Sequence, residues 1–381
     1  MYNIHSHYEN IFNFISTIIA DPIVIYLHPF GSTSIGNIET ILYNRPYLDK
    51  SSRGPIFICY DQEPLDFNYN YQLFDHITKT FDGPYVLLNT EQDSDEKNKI
   101  LKHFGFIDCY YFFHIFAAAD WFRGYQYNSK LIPTYKRTVD KDFITFNRIT
   151  SNHRVYRTLF VAELIKNGLV DNGYISYSDT CPDTQAHYAD ELDKINSYTQ
   201  LDDVATSEYK MLLSSTDLPL RIDTPKDSLI PNKSFVISAA DKTQSALFQI
   251  VTETMFWGRK KHLTEKVFKP IVSKNPFILL GCAHNLKYLK RYGFKTFDRW
   301  IDESYDDIED DYQRLLAVVG VIKSLEGVDR KQMLMEMNDV LDHNYNLFFS
   351  EDFVTLAWKE LIGNLLAAIV QSGVPLKPQT P

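Results

Sequence analysis

Four apolar runs rich in β-branched and aromatic residues follow one another in the first third of the chain: IVIYLH, IFICYD, YVLLNTE and CYYFFH. The gap between the third and fourth, DSDEKNKILKHFG, has the make-up of a helix closed by Gly105. Apolar strands separated by helical stretches specify a parallel sheet, since a parallel pair needs a long crossover and the crossover helices cover the sheet faces. The same alternation returns later. DFITFN, the loop RITSNHR, the helix VYRTLFVAELIKNG with Gly168 in the C-cap position and YISYS together read as a βαβ unit. SFVISAA (234–240), ALFQIVTET (246–254) and NPFILLG (275–281) extend it.

The fold class expected is therefore α/β, with two Rossmann-like halves. The segment LIPTYKRTVDK is polar, contains Pro133 and separates the two series of strands, which predicts a hinge there. The expected division is 1–138 for the first domain, 139–350 for the second and 351–381 for a terminal helix and loose tail. Pro182 to Ser234 is more polar and less periodic, in keeping with a helical excursion, and Asp329 to Leu366 reads as amphipathic helices.

At 381 residues with 44% hydrophobic side chains, the chain can bury a large core in two domains. Cys59, Cys109, Cys181 and Cys282 are widely spaced, so neither a zinc site nor a disulfide framework is expected, and a cytoplasmic location is the default. No stretch reads as a signal peptide or as long enough to span a bilayer. A net charge of −10 disfavours general nucleic-acid binding, while a local basic groove leaves DNA open as a partner.

Against that charge, WGRKKHLTEKVFKPIVSKNPFILLG gathers Arg259, Lys260, Lys261, Lys266 and Lys269 around a single carboxylate, Glu265. Thr264 suits an N-cap, and Val267, Phe268 and Ile271 supply an apolar helix face. A helix start beside cations favours an anion such as a nucleotide diphosphate, with Glu265 exposed and taking ribose hydroxyls. The competing reading is a solvated helix end whose first-turn glutamate complements the dipole.

LTEKVFKPIVSKNPFILLG resembles the donor-binding motif of the fucosyltransferase-like glycosyltransferases, in which a TEK triplet opens a helix and an apolar strand ending in glycine follows. The resemblance covers roughly 250 to 282, and HNLKYLKRYGFKTFDRWIDESYDDI is similar to the region after it. It implies a GT-B fold: two Rossmann-like domains facing each other across a cleft, the sugar nucleotide held by the second. Thr264, Glu265, Lys266 and Lys261 would bind the donor. The donor's base and sugar stay open. In FNRITSNHRVYR, Arg148 follows a strand, where open α/β sheets bind ligands, and it matches best the basic residue that contacts the donor diphosphate in that family. Arg154 is a further donor-binding candidate, although for Arg154 and Arg157 a salt bridge is as good a reading; His153 has a weaker claim.

In the first half, YDQEPLDF places Asp61 and Glu63 in a short loop after a strand. Sugar transfer with inversion needs a general base for the acceptor hydroxyl. Glu63 is the first choice, its QEP being similar to a Glu-Ser-Pro-like loop of the related enzymes, with Asp61 in reserve; capping of the next helix or pairing with an arginine is the alternative. Glu91 stands at another strand end. The DSD triplet, Asp93 to Asp95, is expected to begin a helix rather than bind a metal. HPFGS offers Gly31 and Ser32 as an acceptor-side loop, and His114, Trp121 and Arg123 are weaker candidates. The acidic run IDESYDDIEDD is expected to be a solvated face. The function expected is metal-independent, inverting transfer of a sugar from a nucleotide-diphosphate donor to a hydroxyl acceptor, a glycan, with no cofactor. The alternatives are a DNA glycosyltransferase acting on hydroxymethylated bases and a non-catalytic nucleotide-sugar binding protein.

Overall fold

A computed structural model describes residues 6–27, 55–128, 131–218, 220–222, 237 and 239–377. The HPFGS loop and most of SFVISAA lie outside the described residues. The chain forms two compact units, Met1–Asp120 with Glu351–Pro381, and Trp121–Ser350.

The first unit carries a parallel sheet in the order β1 (Ile23–Tyr26), β2 (Ile56–Cys59), β3 (Tyr85–Asn89), β4 (Ile107–Tyr110). Every residue of β1 and β2 is buried, as a sheet covered on both faces requires. Ile23, Ile25, Ile56, Ile58 and Leu87 pack with Leu73, Phe74 and Ile77 of a helix at Phe67–Thr80 and with Ile100 of a helix at Asp95–Phe104. That second helix begins as expected: Ser94 caps it by accepting from the Lys97 N–H at 3.2 Å, and Asp95 and Glu96 occupy its first turn. Gly105 ends it at φ 69°, a left-handed conformation that glycine adopts without a Cβ penalty.

Three expectations change in this unit. CYYFFH is a strand only to Tyr110, and Phe113–Trp121 is a helix buried at nearly every position, a case that a short apolar run does not distinguish from a strand. The terminal helix Glu351–Gln371 is not a separate appendage. Phe353, Ala357, Leu361, Leu365 and Ala368 form its buried stripe, and Asn364 Nδ2 donates to the Tyr110 carbonyl at 2.7 Å. At 21 residues it is also long and apolar enough to cross a bilayer, which the sequence reading had not expected of any segment.

The second unit carries β5 (Lys141–Asn147), β6 (Gly173–Tyr177), β7 (Ala246–Thr252) and β8 (Phe277–Leu280), all parallel, in the order β6-β5-β7-β8. A helix at Tyr156–Lys166, with Gly168 at φ 70° just beyond it, links β5 to β6. The polar excursion holds helices at Tyr188–Asp193 and Asp203–Ser214. LIPTYKRTVDK is no hinge: Arg137 is buried and donates to the carbonyls of Ile132, Ser273 and Lys274 and to Asn275 Oδ1, which fixes the segment in the second unit. The acidic run is partly structural as well, since buried Asp306 accepts from the Leu286 N–H at 3.1 Å.

Candidate functional site

Within the second unit the chain leaves β5 in one direction to form β6, and β7 and β8 lie on the other side. The carboxyl ends of β5 and β7 therefore flank a topological switch point, where open α/β sheets bind ligands. In the first unit the four strands follow in sequence order, so no such reversal occurs among the described residues.

The β5–β7 register pairs Thr145 with Ile250, and Thr252 Oγ1 donates to the Phe146 carbonyl at 3.0 Å. Continuing that register brings Arg148 level with Glu253. Both loops after these strands are cationic. Burial, then Arg154, Arg157 and Lys260, hold the His153 imidazole down to about 3, so cations from both loops face one ring. Trp257 Nε1 ties the loops together by donating to the His153 carbonyl at 2.7 Å.

Glu253, the first residue after β7, is buried and organises the turn that begins at Thr264. It accepts from Thr264 Oγ1 at 2.5 Å and from the Thr264 and Thr254 N–H groups at 3.3 and 3.2 Å. Lys266 Nζ donates to Thr254 Oγ1 at 2.9 Å and Thr264 Oγ1 at 3.1 Å and lies 3.5 Å from Glu265. Burial raises the Glu253 carboxyl above its ordinary range, and Lys266 opposes that shift. Gly281, the residue after β8, is closely packed here: a Cβ would lie 3.3 Å from Asn285 Nδ2 and 3.4 Å from Glu253 Cβ. Two buried amide groups at these strand ends, Asn147 Oδ1 and Asn285 Nδ2, have no hydrogen-bond partner among the described residues.

Thr264 is the N-cap as expected, but the helix is a short turn at Glu265–Val267 running into Phe268–Val272. Glu265 is buried rather than exposed, because its backbone starts that turn against the sheet. Lys266 and Lys261 are half-buried, Lys260 is buried and Arg259 is exposed. Arg148 is 41% exposed and paired with Asp183 at 3.0 Å. Arg154 is half-buried on the same loop. Arg157 is structural: it is buried and donates to the carbonyls of Ile149, Thr252 and Glu253, clamping the two strand ends.

In the first unit, Glu63 is half-buried in the loop after β2. Glu91 anchors that loop by accepting from the Leu65 N–H at 2.7 Å. Asp61 is buried and accepts from the hydroxyls of Tyr8, at 2.9 Å, and Tyr111. Tyr8 in turn accepts from Gln62 Nε2 at 2.6 Å, and Tyr111 meets His7 Nε2 at 3.1 Å. Burial pushes the Asp61 carboxyl up to about 6 despite both tyrosines, and holds His7 down to about 3.

Sequence reasoning missed Glu253, Asn285 and Asp183. Glu253 carried a usable signal, a carboxylate directly after a mostly apolar strand and 11 residues before Thr264. No protein-family model, curated protein or solved structure matches this chain.

Proposed function

We propose that this chain is an inverting, metal-independent glycosyltransferase of GT-B organisation. Its second unit takes a nucleoside-diphosphate sugar, and its first unit takes a hydroxyl acceptor, a glycan. One observation carries the reading: Arg148 and the Lys266–Thr264–Glu253 chain stand on the two loops that flank the switch point of the second sheet. The likeness of LTEKVFKPIVSKNPFILLG to the fucosyltransferase-like donor motif supports the same place.

In this scheme Glu63 accepts the proton of the acceptor hydroxyl, whose oxygen attacks the anomeric carbon as the bond to the diphosphate oxygen breaks. The leaving diphosphate gathers negative charge, which Lys266 and Arg148 stabilise in place of a metal ion. Asn147 and Asn285 offer an acceptor and a donor for the nucleotide. Asp61 is buried, whereas Glu63 is half-buried in the loop after β2 and better able to meet an acceptor, so Glu63 is the better base.

The test is a thermal-shift screen against UDP, GDP, CDP and dTDP sugars, followed by transfer assays with the sugar that binds. Stabilisation by one class, with release of its nucleotide when an acceptor is added, is the expected result. Binding without transfer or hydrolysis would leave a nucleotide-sugar binding protein, and no stabilisation by any of them would remove the donor site.

A further inference from the structure

The carboxylate of Asp183 sits where a ligand's phosphate would have to go. Arg148 Nη2 lies 3.0 Å from Asp183 Oδ1 and Arg148 Nε lies 3.2 Å from Asp183 Oδ2, so the two edge donors by which a guanidinium grips a phosphate are both taken. The side chains are 41% and 36% exposed, so the pair lies at the surface. Asp183 does not depend on Arg148 for its position. Its loop closes on itself through the Cys181 N–H to the Ala186 carbonyl at 2.8 Å and the Gln185 N–H to the Cys181 carbonyl at 2.9 Å. Thr184 Oγ1 fastens it to Ser151 Oγ, on the Arg148 loop, at 2.9 Å.

We infer that Asp183 is a positioning residue of the anion site, an internal carboxylate that competes with incoming phosphates for Arg148 and lowers the affinity of each, so that only a ligand with a second phosphate for Lys266 binds well. This rests on the proposed donor site. Exchanging one carboxylate for one small anion gains little at the guanidinium. A diphosphate replaces Asp183 with one phosphate and carries a second toward Lys266, on the loop after the adjacent strand.

The experiment is calorimetric titration of the full chain with sodium pyrophosphate and, separately, inorganic phosphate at low salt. Wild type is compared with Asp183→Asn, Arg148→Gln and the double variant, each checked by thermal melt. An exposed ion pair shifts an equilibrium by up to about fivefold. With the repulsion between Asp183 and the ligand also removed, Asp183→Asn is expected to bind pyrophosphate roughly three- to tenfold tighter. Phosphate affinity should rise by a similar factor, since both ligands displace the same carboxylate. In the Arg148→Gln background the Asp183 change should have a clearly smaller effect, only the relief of its repulsion, an outcome that a merely structural role for Asp183 would not give. If Arg148→Gln weakens pyrophosphate binding but Asp183→Asn leaves it unchanged or weaker, Asp183 is no competitor and the donor site stands. If neither wild type nor Asp183→Asn binds pyrophosphate, the donor site fails and the inference goes with it.

Discussion

Thr264 Oγ1 donates to Glu253 Oε2 at 2.5 Å while accepting from Lys266 Nζ at 3.1 Å, so one buried hydroxyl couples the carboxylate at the end of β7 to the cation that faces the proposed ligand. Its removal takes one hydrogen bond from each side. Thr264→Val is expected to lower stability by about 1.5–3 kcal/mol, the worth of hydrogen bonds to charged groups, and to weaken nucleotide-sugar binding. Thr264→Ser, which keeps the hydroxyl, should restore most of both. Melts and calorimetric titration of the two variants check this; equal behaviour of valine and serine would show that the hydroxyl does not hold Lys266.

Lys266 and its neighbour Glu265 should separate binding from folding. Lys266 is half-buried with its ammonium on two threonine hydroxyls, so Lys266→Ala is expected to weaken nucleotide-sugar binding tenfold or more with a small change in melting temperature. Glu265 is buried, so Glu265→Ala is expected to lower the melting temperature as well as the affinity. Unchanged affinity in both would return this stretch to an ordinary turn.

Much of the fold could be read from the chain because its strands are short apolar runs with clear punctuation, such as Ser94 and Gly105 around one helix and Gly168 after another. What escaped was set by packing. A polar, proline-containing segment looked like a hinge, yet Arg137 buries itself there by finding three oxygen acceptors far along the chain besides the Ile132 carbonyl nearby, and no local pattern announces such a hub. Phe113–Trp121 has the composition of a buried strand or helix alike. At the site, Thr264, Lys266 and Arg148 were legible because each stands beside a strand or helix end that periodicity locates. Asp183 was not, since its partner lies across a connection with no periodic pattern.

Glu63→Gln is expected to keep donor affinity while lowering turnover by roughly 10²- to 10⁴-fold, the usual worth of a positioned general base. Glutamine preserves the shape of the loop that Glu91 fixes through the Leu65 N–H, so a folding defect is not expected. Steady-state kinetics with the identified donor checks it. Near-wild-type turnover in Glu63→Gln, with loss in Asp61→Asn, would transfer the role to Asp61.

Activity is expected to persist in excess chelator, because Lys266 and Arg148 supply the positive charge that the leaving diphosphate needs. An assay with and without EDTA decides the matter. Loss of turnover that magnesium or manganese restores would require metal ligands in the site and would count against the proposed mechanism.

The pH dependence of stability should expose two buried groups of opposite sign that share the Tyr111 hydroxyl. Asp61 titrates at about 6 in the folded chain against 3.8 when unfolded, so above pH 6 its buried charge costs about 3 kcal/mol, and the cost fades as pH falls toward 3.8. His7 titrates at about 3 against 6.5 when unfolded, so its contribution is complete above pH 6.5 and is lost progressively below it, by about 2 kcal/mol at pH 5. Tyr8, Tyr111 and Cys59, the other titratable groups around Asp61, are all raised by burial and do not ionise in this range. Between pH 7.5 and 5 the relief at Asp61 opposes the loss at His7. The contribution of this pair in wild type should therefore change less across that range than that of either group alone. Asp61→Asn removes one side of the balance: it is expected to be more stable than wild type at pH 7.5 and to lose about 2 kcal/mol by pH 5 through His7 alone. Urea unfolding at both pH values, read from the first unit's transition, measures it. A variant less stable than wild type at pH 7.5 would mean that the two tyrosine hydroxyls stabilise the ionised carboxylate by more than its burial costs.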